Sequence, residues 1–191
     1  MAAALRLIAA GAFGERVADL LDRPGATRGD EPGGDVTVAA LWRPAPARLA
    51  AVDDAAARLG VPWLPVVAEH PRIVVGPYVA PGGPCHGCYA ARRAQHAAPG
   101  SVTAELHAAY DADPALGPAG FLPAHARGAA GLAAAALRAA DPGRVTVWHP
   151  GTGAVATHHV AGVHGCARCD RTGAPATVAA ALAGFLPAAV R

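Results

Sequence analysis

The sequence predicts an α/β protein, a mainly parallel sheet with helices on its faces, held together by a four-cysteine metal clip. Three observations predict it. Short apolar runs alternate with helical patterns through the first half of the chain. A glycine-turned strand-to-helix step stands near the start. All four cysteines fall in two C-x-x-C units, Cys85–Cys88 in GGPCHGCYAARR and Cys166–Cys169 in HGCARCD.

Taken in order, ALRLIAA (4–10) reads as a buried strand, and ERVADLLDR, with Val17, Leu20 and Leu21 at helical spacing, as the first helix. Between them Gly11-Ala-Phe-Gly14 is a fragment of the G-x-G-x-x-G turn that opens a Rossmann-like dinucleotide-binding unit. Phe13 stands where a close-approach glycine would be wanted, and its bulk is expected to obstruct a pyrophosphate, leaving a tight βα turn. Residues 24–35 are a Gly/Pro-rich loop, DVTVAALW (35–42) a strand, and 45–59 a helix closed by Gly60. VPWLPVVAE (61–69) and PRIVVGPYV (71–79) are two strands in quick succession, the second leading into the first cysteine pair. The order β-α-β-α-β-β implies parallel crossovers with helices packed on the sheet.

Beyond Cys88, YAARRAQHA is expected to be helical with Arg92 and Arg93 on a solvated face. A helical piece spans Val102 to Tyr110; an Ala-rich helix, ARGAAGLAAAALRAAD, follows a Gly/Pro break and is expected to cover part of the first knuckle. RVTVWHP (144–150) and AVATHHVAG (154–162) flank Pro150-Gly-Thr-Gly153, a hairpin that carries the chain to the second pair. The tail ATVAAALAGFLPAAVR reads as a short apolar helix able to dock on the domain or on a second subunit.

A C-x-x-C turn aims two sulfurs at one ion, and two such turns complete a tetrahedral thiolate shell for zinc. Residues 89 to 165 separate the pairs, so the ion would clip distant segments rather than build a small finger. Redox pairs and disulfides are the competing readings, but a redox pair opens a helix beside a thioredoxin-like strand, and two in one chain would be unusual. His86 and His164 flank the knuckles as reserve ligands. The consecutive His158 and His159 lie on a strand and point to opposite faces. Asp53 and Asp54 read as a solvated helix face, and Trp42, Trp63 and Trp148 as core filling.

Composition excludes a good deal. The net charge of +2 gives no field for nucleic acid. All sixteen basic residues are Arg; without Lys there is no P-loop or Schiff-base lysine, and Ser101 stands outside any G-x-S-x-G elbow. No apolar run approaches the ~20 residues of a membrane span. Thiols on a metal point to the cytoplasm, and no nucleophile–base–orienter set is legible.

The stretches DVTVAAL, IVVGPYV, GPYVAPGGPCHGCYAARR and WHPGTGAVATHHVAGVHGCARC together resemble E1-like (ThiF/MoeB-type) proteins. Within them they resemble the Ocin-ThiF-like, leader peptide-binding partners of azoline-forming (TOMM) peptide biosynthesis. The resemblance covers most of 1–170. It implies one reduced E1-like domain over 1–191: a Rossmann-like part (1–80), a zinc-clipped part (81–170) and a C-terminal helix (171–191). It implies structural zinc on Cys85, Cys88, Cys166 and Cys169, and no catalytic or cofactor-binding residue. An adenylating E1 needs an intact glycine loop, a ribose-binding acid on the next strand, and Arg and Lys at the phosphates. Here Lys is missing and the stretch after the first helix looks too short for that strand. The reading that follows is a non-adenylating partner of a YcaO-type cyclodehydratase acting on a precursor peptide, with a homodimer possible. Relatives of this branch commonly carry a winged-helix leader-binding module, and none is expected ahead of the first strand. A reduced ThiF-like adenylyltransferase and a small zinc-stabilised interaction domain stay open as alternatives.

Overall fold

A computed structural model describes residues 3–169. Period-two alternation in the early strands decides the architecture. In β1 (Leu5–Ala10), Leu5 and Leu7 face one side and Ile8 the other; in β3 (Val36–Leu41), Val38 and Ala40 oppose Ala39 and Leu41. Both faces are apolar, so both must be covered. Helix α1 (Gly11–Leu21) covers one face with Phe13, Val17 and Leu21. Helix α2 (Pro46–Leu59) covers the other with Leu49, Val52 and Ala56. Proline in the first turn of α2 and left-handed Gly60 (φ 66°) at its end bound that helix as the sequence predicts.

The two-residue β2 (Thr27–Arg28), β4 (Trp63–Glu69), β5 (Arg72–Val75), β6 (Arg144–His149) and β7 (Ala154–His159) complete a seven-stranded sheet of order β2-β1-β3-β4-β5-β6-β7. β2, β1, β3 and β4 run parallel; β5, β6 and β7 each pair antiparallel with the strand before. Five of the seven strands therefore point the same way. β2 corrects the expectation that no second strand fits after α1. It is held against β1 by the Arg6 guanidinium, which donates to the Arg28 carbonyl (2.7 Å) and the Glu31 carbonyl (3.1 Å).

Helices α3 (His86–Gln95) and α4 (Thr103–Ala112) follow β5 and lie on the α2 side. The Ala-rich α5 (Pro123–Ala139) packs on the opposite face against α1, β4 and β5, through Ala126, Ala129, Ala130 and Ala133. It does not cover the first knuckle, contrary to expectation; its methyl-only face fits the close approach to α1. The β6–β7 hairpin forms where Pro150–Gly153 predicts it, and its register sets His158 opposite Val145 and His159 opposite Arg144, on opposite faces. Among the described residues no helix is long and apolar enough to cross a membrane. The tail helix expected over 171–191, and the dimer contact suggested for it, lie outside the described residues.

Candidate metal centre

Gly76 (φ 106°) ends β5 by packing against the Arg144 carbonyl, and the chain then runs past β6, with Tyr78 N–H donating to that same carbonyl (3.0 Å), to Cys85. Cys85 is the N-cap of α3, and its sulfur accepts the Cys88 N–H (3.4 Å), so a helix start holds the first pair. Cys85 and Cys88 are buried. The second pair follows β7: Val160 N–H donates to the Gly143 carbonyl (2.9 Å) and Val163 N–H to Cys88 Sγ (3.3 Å). Arg92 grips the connecting segment through the carbonyls of Ala161 (3.2 Å) and Gly162 (3.0 Å). Arg93 pairs with Glu69 and stacks on Tyr89, so neither arginine stands on a free solvated face as expected.

All four sulfurs lie within 4.8 Å of one another. The Sγ···Sγ separations are 3.7 Å for Cys85–Cys88, 3.7 Å for Cys85–Cys166 and 3.5 Å for Cys88–Cys169. A tetrahedron with metal–sulfur bonds of ~2.3 Å has edges of about 3.8 Å, whereas a disulfide needs ~2.05 Å. The four thiols are free and spaced to hold one tetrahedral ion. Backbone N–H groups of Cys169 and Arg168 pull the Cys166 thiol down to about 6, a thiolate-favouring environment. Burial pushes Cys85 and Cys169 up, which disfavours their charged form until a cation arrives. His86 turns away from the sulfurs, packing between Trp63 (5.4 Å) and Tyr89 (5.6 Å), and burial lowers it to about 4. It is neutral and fills space.

Asp53 is the residue the sequence misassigned. It is 2 % exposed. Its carboxylate accepts from the Trp63 indole (3.0 Å) and from the N–H groups of His86 and Gly87 (3.4 Å each) at the start of α3. Arg168, between the second pair of cysteines, pairs with Asp53 at 3.4 Å and also with Asp54. One buried carboxylate thus ties α2, β4, the first knuckle and the second knuckle together.

The crevice where the sheet reverses direction of growth, between the ends of β1 and β3, is where open α/β sheets bind nucleotides. Gly11 (φ 68°) starts α1 there, and Trp42 lies over it so closely that a Cβ would overlap the indole. Gly14 serves close packing of α1 against the Ala40 carbonyl. Phe13 does not reach the crevice: it is 2 % exposed in the core, edge-to-face with Phe121 at 5.5 Å, which corrects its expected role. What fills the crevice is Trp42 with Arg43. The Arg43 guanidinium lies between the Trp42 and Tyr110 rings (5.2 and 4.8 Å) and donates to the carbonyls of Pro44, Tyr110 and Asp113. Gly117 closes over both; a Cβ there would come within 2.7 Å of Arg43 Cδ.

No protein-family model and no curated protein matches the chain. Solved structures do. The heterocyclase TruD aligns over 86% of this chain at 19% identity and a TM-score of 0.60. A heterocyclase in complex with substrate and cofactor aligns over 87% at 16% identity and 0.65. Escherichia coli MccB with ATP aligns over 72% at 16% identity and 0.51. The chain spans 27% and 25% of the two heterocyclase chains and 40% of MccB. At this identity the likeness is one of fold: the chain has the E1-like fold of the heterocyclase and MccB structures.

Proposed function

We propose that this protein is a non-adenylating, zinc-clipped E1-like partner in the biosynthesis of azole-containing ribosomal peptides. In that role it supports a YcaO-type cyclodehydratase acting on a precursor peptide. Zinc is the ion that four thiolates at these spacings suit, and in this role it is structural: every sulfur is a ligand, and no position is left for water or substrate. Metal-bound thiols accord with a cytoplasmic site of action. The observation that carries the non-adenylating part is the crevice itself: Trp42 lies against Gly11, with Arg43 and Gly117 packed on it, at the strand end where open α/β sheets bind nucleotides. The peptide-modifying part is supported by the fold shared with heterocyclases, one of them solved with its substrate.

The test is reconstitution. Tagged protein is mixed with a YcaO-type enzyme and a Cys/Ser/Thr-rich precursor from the same genome, and loss of water (18 Da per ring) is read by mass spectrometry. Ring formation that depends on this protein is the expected result; ring formation at the same rate without it removes the reading. The likeness to MccB, solved with ATP, favours a second reading as an adenylyltransferase. Peptide-dependent exchange of pyrophosphate into ATP by this protein alone would establish that reading instead.

A further inference from the structure

Helices α3 and α4 stand off from the β5–β6–β7 part of the sheet and leave a cavity of about 1140 Å³. Its floor is apolar and set by register: Val74 faces Val147, and Val145 faces His158, across neighbouring strands. Its walls carry Tyr89, Arg92 and Arg93 from α3 and His107 from α4, with Arg72 at the end of β5. Among the described residues no Asp or Glu lines it. Arg72 and Arg93 share the single carboxylate of Glu69, two guanidinium groups on one acid. Arg92 meets only the carbonyls of Ala161 and Gly162 and the Gln95 amide, so no carboxylate neutralises it among the described residues. A cationic wall above a valine floor is complementary to a ligand that alternates negative and apolar groups.

The cavity exceeds the ~300–1,000 Å³ typical of small-molecule sites. It runs beside β7, six residues long and exposed throughout, whose outer edge pairs with no strand among the described residues. A strand of that length spans about 20 Å. We infer that this groove binds an extended acidic peptide segment, an apolar side chain on the part-exposed Val147 and its carboxylates on Arg92 and the Arg72–Arg93 pair. The peptide's backbone lies extended along the groove, much as a recognised strand lies along a sheet. This inference stands apart from the pathway proposed above, since it concerns only what this face recognises.

The experiment is fluorescence anisotropy of the full chain with a fluorescein-labelled dodecapeptide of alternating Glu and Val. Saturable binding is expected, weakened at least tenfold by Arg92→Glu and severalfold by His158→Glu on the floor. Arg127→Glu, exposed on α5 across the sheet, should leave it unchanged. The same peptide with Lys in place of Glu should not bind, and a single-stranded dT oligonucleotide should not compete. His158→Glu keeps the test decisive if Arg92→Glu loosens the Ala161–Gly162 segment. Absence of saturable binding, equal loss in Arg127→Glu, or displacement by the oligonucleotide at matching concentration would each overturn the inference.

Discussion

Arg168, in the middle of the second knuckle, reaches Asp53 on α2 at 3.4 Å, so a carboxylate 115 positions earlier in the chain fixes where Cys166 and Cys169 stand. Removing that charge should loosen the second knuckle without touching a sulfur. Asp53→Asn is expected to cost about 2 kcal/mol, below the ~3–5 of a fully buried pair because Arg168 keeps some solvent contact. Asp54→Asn, on a half-exposed partner of the same arginine, should stay within about 0.5 kcal/mol. Urea titration reads both as midpoint shifts at constant slope. Equal losses for the two variants would mean that the pairing at Asp53 has no special weight.

One metal ion per chain is expected by elemental analysis, and it should be zinc. Cys85→Ser and Cys166→Ser should each lower occupancy and destabilise the fold by roughly 3 kcal/mol or more, because the ion's binding free energy is folding free energy. Chelator-stripped protein that melts at the native temperature would contradict a structural role.

ATP at millimolar concentration should leave the melting temperature unchanged, since a ligand that binds only the folded state must raise it. The companion variant is Gly11→Ala. Its Cβ would have to enter the Trp42 indole from a left-handed backbone, and about 2–4 kcal/mol of destabilisation is expected from strain and overpacking together. A neutral Gly11→Ala would show that the indole is free to move aside, and the crevice with it.

Phe13→Ala discriminates between a core residue and a side chain facing a ligand crevice. The core position beside Phe121 predicts a loss of about 3–5 kcal/mol in denaturant unfolding. A ring in an open crevice would be lost at little cost.

Much of this was legible because its causes are local. The cysteine pairs announce their geometry by spacing, Gly60 announces the end of α2, and Pro150–Gly153 the turn between β6 and β7. What misled was decided by distant partners. Asp53 beside Asp54 has the pattern of a solvated helix face, and only α3 arriving from residue 86, with Arg168 later still, makes one of the two buried. β2 has too few residues to show a pattern and is held by Arg6, on another strand, through its Arg28 carbonyl. Phe13 sits inside a glycine motif by position, but a helix that begins at Gly11 turns it inward, and the residue that packs on Gly11 is instead Trp42, just past the end of β3. The groove over β5–β6–β7 depends on how far α3 and α4 stand from the sheet, which no periodicity encodes.

The sulfurs of Cys85 and Cys166 come together across 81 positions of sequence. On a ribosome adding ~5–20 residues per second, roughly 4–16 s pass between the first pair leaving the peptidyl-transferase centre and the second pair existing at all. An ion captured early would spend that interval with two of its four thiolates, exchangeable and exposed to oxidants. A complete four-sulfur site therefore belongs to the finished β6–β7 hairpin, and a ribosome stalled between the two knuckles would release a chain with only half of the candidate metal centre.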